Sequence, residues 1–139
     1  MRHLNVKHRL YRPMKLEIEG KAGMTAPTPV QITRVLKSLR SYGKSTYASL
    51  TDATGNYVQV AGGGVSCMIE RFEVDVSKRW RAFHDWPSPV RPDGTLLVFG
   101  AGSIPMLADE WFTSDQVVEV FLAFVNGVSP PEFVHWRPA

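Results

Sequence analysis

The sequence has a single cysteine, Cys67, among its 139 residues, which excludes an internal disulfide and any metal site built from several cysteines. It has no uninterrupted apolar run of about 18 residues, the length that a membrane-spanning helix needs. The first residues also lack the apolar segment of a secretory signal. Together these absences predict a soluble protein of a reducing compartment, and we expect a cytoplasmic location.

Charge is unevenly distributed along the chain. Residues 1–23 carry a formal charge of +4 and residues 93–139 carry −5, although the whole chain carries +3. The basic average therefore describes the start of the chain and argues against a nucleic-acid-binding body. We predict a basic N-terminal arm or extension over residues 1–13 and one domain over residues 14–139, since this length fits a single domain.

Two helices are predicted from their capping residues. Thr28, with Pro29 and Gln31 behind it, begins the first helix, and Thr113 with Gln116 begins the second. Glycines at 43 and 127 are expected to end them.

Alternation of apolar and polar residues predicts short strands around these helices. The run 95–99 is the most apolar and predicts a central strand, followed by a loop over 100–105 and a short strand over 106–112. Most of the strands follow one another through turns. The expected fold is therefore α+β, a largely antiparallel sheet of about six strands with two helices packed on one face.

No pattern of catalytic, metal-binding or cofactor-binding residues is recognised. The glycine-rich turns at 62–64 and 100–102 match no phosphate-binding motif, and bends between strands are the favoured interpretation. The four histidines lack the spacing of a zinc site. We expect no catalytic residue, no metal and no cofactor, hence a protein that is not an enzyme.

The segment 109–112, Asp-Glu-Trp-Phe, supports two interpretations. In the structural one, Trp111 anchors the core and the carboxylates favour the positive end of the following helix. In the functional one, the segment is an acidic and aromatic patch that binds a protein, because tryptophan is frequent at interface hot spots. The structural interpretation is favoured from the residues alone.

The C-terminal half resembles the immunity-protein family of bacterial polymorphic toxin systems, an α+β family often paired with deaminase toxins. The similarity covers residues 28–137. It lies in the glycine turn at 62–64, the apolar strand at 96–99, the glycine turn at 100–102, the helix at 117–125 closed by Asn126 and Gly127, and the terminal strand ending on Trp136.

This resemblance implies that the protein serves in interbacterial competition by binding and blocking the catalytic domain of a cognate toxin. An acidic surface agrees with that role, because a toxin that acts on nucleic acid has a basic groove. The partner-binding residues predicted from charge and aromatic content are Asp109, Glu110, Trp111 and Asp115. Trp136 is expected to pin the end of the chain to the core, so that Trp136→Ala costs about 3–5 kcal/mol if the ring is buried.

Two alternatives are left open. A small nucleic-acid-binding module would use the arm together with Arg34, Lys37 and Arg40 of the first helix, although the charge distribution disfavours it. An enzyme with a pocket near His84 and Asp85 ranks last. The sequence leaves the oligomeric state, the toxin and its target open.

Overall fold

The computed structural model describes residues 13–139. The predicted arm therefore lies outside the described residues except for Pro13. Within them, the chain forms a seven-stranded sheet, a separate two-stranded sheet and two helices. This confirms the predicted α+β class with a largely antiparallel sheet.

The seven-stranded sheet has the order β2-β1-β3-β4-β5-β6-β9, and every neighbouring pair is antiparallel. Its strands are β1 (Lys15–Ile18), β2 (Met24–Thr25), β3 (Tyr47–Thr51), β4 (Tyr57–Gly63), β5 (Ser66–Glu73), β6 (Lys78–Phe83) and β9 (His135–Pro138). The two-stranded sheet is the hairpin of β7 (Thr95–Phe99) and β8 (Gly102–Met106). Hairpin connections join most neighbours, which is why the sheet is antiparallel.

The helices are α1 (Pro29–Ser38) and α2 (Ser114–Asn126). Both begin with the predicted capping boxes, since the side chains of Thr28 and Thr113 accept a hydrogen bond from the backbone N–H three residues later. Gly127 ends α2 in the left-handed conformation, as predicted. The predicted stop of α1 at Gly43 was wrong, because α1 already ends at Ser38 and Leu39 takes an extended conformation to enter the core.

Both helices pack on one face of the seven-stranded sheet, which we name the helix face. Its core joins alternate residues of the strands to the apolar stripes of the helices. The most buried members are Leu16, Leu50, Val60, Ile69 and Ala82 from the strands and Ile32, Leu36, Val117 and Phe121 from the helices. The opposite side of the sheet is named the second face.

The glycines at 62–64 allow close backbone approach. A Cβ atom on Gly62 would collide with the carbonyl of Ser66, and one on Gly63 would collide with the carbonyl of Leu39. Gly62 also has φ +92°, which side chains disfavour. Glycine is therefore required at 62 and 63, where the end of β4 lies against the backbone of Ser66 and Leu39.

The prediction of a central strand at 95–99 was wrong. This segment is β7, which pairs only with β8 among residues 13–139 and lies outside the large sheet. Leu97 points to the second face and is buried, whereas Leu96 and Val98 are exposed. The predicted loop at 100–105 and strand at 106–112 were also wrong, because β8 occupies Gly102–Met106 and the chain then turns.

Candidate partner-binding surface

Residues 84–110, named the outer layer, cover part of the second face. Leu97 and Met106 of the hairpin pack against Ala61, Met68 and Trp111 in a second, smaller core. The layer thus forms its own apolar contact with the sheet, opposite the helices.

Polar contacts fix the outer layer at several points. The N–H of Gly100 donates to Oγ1 of Thr46 at 2.8 Å. Arg91 donates to Oγ of Ser66 at 2.7 Å, and its guanidinium lies 4.4 Å from the ring centre of Trp111. These contacts tie both the hairpin and the preceding loop to the large sheet.

A buried ionic cluster lies between the second face and the end of the outer layer. Arg81 of β6 contacts Glu70 at 2.7 Å and Glu110 at 3.3 Å. Arg137 of β9 contacts Asp109 at 2.8 Å and Glu110 at 3.4 Å. Strand pairing explains the assembly, because Arg81 lies opposite both Glu70 and Arg137 in the sheet.

The four predicted partner-binding residues do not form one exposed surface. Glu110 is 4% exposed and Trp111 is 8% exposed, so both lie in the interior. Asp109 is mostly covered and is paired with Arg137. Asp115 is exposed on α2, where it pairs with Lys37 at 2.6 Å.

A different acidic and aromatic pair is exposed on the outer layer. Trp86 is 68% exposed, and the side chain of Asp85 beside it is 70% exposed and contacts His135 at 3.2 Å. Val90 and Leu107 add exposed apolar side chains. The sequence analysis did not single out this pair, although a tryptophan beside three prolines in a loop was an available signal of an exposed side chain.

Hydrogen bonds join the 84–93 loop to residues 107–109. The N–H of Ser88 donates to the carbonyl of Ala108 at 2.8 Å, and the N–H of Ala108 donates to Asp93 at 2.7 Å. The exposed side chains of Asp85, Trp86, Val90, Asp93 and Leu107 thus belong to one surface, which we name the Trp86 patch.

His84 supports Trp86 from behind. Its Nε2 lies 2.7 Å from the carbonyl of Trp111, which only accepts, so Nε2 carries the proton. Its Nδ1 accepts from the N–H of Trp86 at 3.1 Å. Both ring nitrogens therefore bind the backbone, and Asp85 contacts His135 instead of His84.

Neither the cysteine nor the histidines and carboxylates form a reactive or metal-binding site in the described residues 13–139. Cys67 is buried, and burial raises the pKa of its thiol to about 12, with the charge of Arg91 acting in the opposite direction. Within residues 13–139, no three histidine, cysteine or carboxylate side chains come together as metal ligands. A buried thiol with a raised pKa is a poor nucleophile.

The basic residues of α1, and Arg40 just after it, point outward. Lys37 is neutralised by Asp115, and Arg40 donates to the carbonyls of Lys37 and Leu39 at the end of the helix. Arg34 is exposed. Two of the three cations are thus already engaged locally, which weakens their availability to phosphates.

Comparisons with known proteins find no relative of this chain. No protein-family model, curated protein or solved structure matches it. In the part of the chain that the structure describes, none of the helices is long and apolar enough to cross a membrane.

Proposed function

We propose that this protein is a cytoplasmic immunity protein that binds and blocks the catalytic domain of a cognate bacterial toxin. The family resemblance of residues 28–137 supplies the class of partner, with nucleic-acid deaminases among the toxins it implies. The observation that carries the proposal is Trp86, a large apolar side chain 68% exposed beside the exposed Asp85.

The Trp86 patch combines an exposed aromatic side chain with negative charge. Exposed aromatic side chains dominate binding energy when a partner covers them, and tryptophan is the most frequent of these anchors. Asp85 and Asp93 at its margin favour encounter with a basic groove of the kind that binds nucleic acid. The patch therefore replaces the segment 109–112 as the proposed contact surface.

Co-expression with the C-terminal domain encoded in the adjacent reading frame tests the proposal. We expect survival of the host, a stable complex on purification, and at least about a thirtyfold loss of affinity for Trp86→Ala, the effect of a hot-spot residue. Tyr42→Ala is the matched control, because Tyr42 is 72% exposed in the segment after α1.

Charge substitutions separate this patch from the residues first predicted. Asp85→Asn should slow association and reduce its salt dependence, whereas Asp115→Asn on α2 should change neither. A toxic neighbour that this protein neither binds nor neutralises would overturn the proposal. Salt-sensitive binding to DNA or RNA, lost on replacing Arg34, would instead favour the nucleic-acid module.

A further inference from the structure

Pro105 determines which backbone groups of the β7–β8 hairpin face outward. It lies opposite Leu96, and because proline has no N–H, this pair cannot be a hydrogen-bonded one. The ladder bonds therefore lie at Leu97 and Phe99, whereas at the start of the strand the N–H of Thr95 donates to the carbonyl of Pro92 and that of Gly94 donates to the carbonyl of Met106. By alternation, the N–H and C=O groups of Leu96 and Val98 point away from β8. No turn, loop or cap hydrogen bond elsewhere in residues 13–139 reaches these groups.

The other outer strands have features that prevent further pairing. The free edge of β9 carries Pro138, that of β8 carries Pro105, and β2 has only two residues. By contrast, β7 has neither a proline nor a charged residue. Its exposed side chains, Leu96 at 56% and Val98 at 62%, are apolar and β-forming. An unprotected edge of this kind is a template for another strand.

We propose that β7 pairs in antiparallel fashion with β7 of a second copy of this chain, forming a symmetric dimer with a continuous four-stranded sheet. Centred on Leu97, the pairing sets Leu96 against Val98 of the second copy and Thr95 against Phe99. Each Leu96–Val98 pair exchanges both backbone hydrogen bonds through the outward-facing groups.

The sequence of β7 is complementary to itself in this register. Leu96 and Val98 form cross-strand apolar pairs on the exposed side, and no like charges meet because residues 94–106 contain none. Gly94 falls opposite Gly100 of the second copy, but the N–H of Gly100 already donates to Thr46 and the Glu19 carboxylate lies against Gly100, so the pairing is limited to residues 95–99. The same patch on both copies satisfies the requirement of a two-fold interface.

Only one short strand from each copy enters the contact, so the dimer should be weak and reversible. Sedimentation of the full chain from micromolar to millimolar concentration should show a monomer–dimer equilibrium. Val98→Lys places a charge on the edge and should weaken the dimer by about tenfold or more. Val128→Lys is the matched control, because Val128 is 60% exposed after α2 and should leave the equilibrium unchanged.

Amide hydrogen exchange measured at low and high concentration tests the edge itself. The amides of Leu96 and Val98 should exchange more slowly in the dimer, whereas those of Leu97 and Phe99, already paired with β8, should change little. A monomer at every concentration would overturn the proposal. So would a dimer that resists Val98→Lys, or one in which the Leu96 and Val98 amides gain no protection.

This proposal stands apart from the proposed function. Trp86→Ala should leave the dimer intact, so loss of toxin binding and loss of self-association can be told apart by the two substitutions. Circular dichroism of each variant serves as the control that the substitution has not unfolded the protein.

Discussion

The ionic cluster under the outer layer gives the sharpest test of what Glu110 does. The substitution Glu110→Ala removes three contacts at once. Oε1 of Glu110 accepts from the N–H of Leu107 at 2.8 Å and from Arg81 at 3.3 Å, and Oε2 accepts from Arg137 at 3.4 Å. At 4% exposure, water cannot simply replace the carboxylate.

The expected cost follows from which partners remain. Removing one member of a buried ion pair typically costs about 3–5 kcal/mol, because a charge is left without compensation. Here Arg81 keeps Glu70 at 2.7 Å and Arg137 keeps Asp109 at 2.8 Å, so neither guanidinium is left alone. We therefore expect Glu110→Ala to lower the free energy of unfolding by about 2–4 kcal/mol. Glu110→Gln, which retains an acceptor for Leu107, should cost about 1–2 kcal/mol.

Urea unfolding monitored by tryptophan fluorescence measures these differences, with Asp115→Ala as the control. Asp115 is an exposed carboxylate with one cation, so its loss should cost at most about 1 kcal/mol. Equal costs for Glu110→Ala and Asp115→Ala would refute the argument from burial.

Two further predictions concern buried and half-buried side chains. Burial raises the pKa of Cys67 from 9.0 to about 12, so the unfolded chain loses this proton first as the pH rises. The native state should therefore lose stability between about pH 9 and pH 12, by up to about 4 kcal/mol relative to Cys67→Ala. Urea unfolding of both proteins at pH 8 and pH 10.5 tests this, and a difference independent of pH would contradict it. Trp136 is half-buried, with the guanidinium of Arg71 4.7 Å from its ring centre. Trp136→Ala should thus cost about 2–3 kcal/mol in the same assay, less than a fully buried ring, and an unchanged midpoint would show that the ring does not anchor the chain end.

The helix starts could be predicted because a capping box is a local feature. Thr28 with Gln31 and Thr113 with Gln116 satisfy backbone groups within four residues, so no distant contact is needed to recognise them. The end of α1 depends instead on Leu39, which is buried in the core and extends the chain before Gly43 is reached. The burial of Leu39, and not Gly43, therefore sets where the helix ends.

The position of β7 could not be predicted from its residues. A continuous apolar run such as 95–99 is typical of a strand buried on both faces. Here Leu97 and the half-buried Phe99 meet the second face, and Leu96 and Val98 remain exposed. Composition does not distinguish a strand covered by other elements from one whose outer face is exposed.

The burial of Glu110 and Trp111 could not be predicted for a related reason. Asp85–Trp86 and Glu110–Trp111 are the same pair of residue types, a carboxylate followed by tryptophan. Arg81 approaches Glu110 from β6 across 29 positions and draws the second pair into the interior. Trp111 is buried by apolar contacts with other elements, so which pair is exposed depends on distant residues that no local pattern shows.

The buried pair and the exposed pair are coupled through His84. Its ring donates to the carbonyl of Trp111 and accepts from the N–H of Trp86, while its backbone N–H donates to the carbonyl of Asp109 at 3.0 Å. The interior segment thus holds the loop that presents Trp86. A side chain held in place before binding loses less conformational entropy when a partner covers it. Under the proposed function, the ionic cluster and Trp111 would therefore contribute to binding by positioning Trp86.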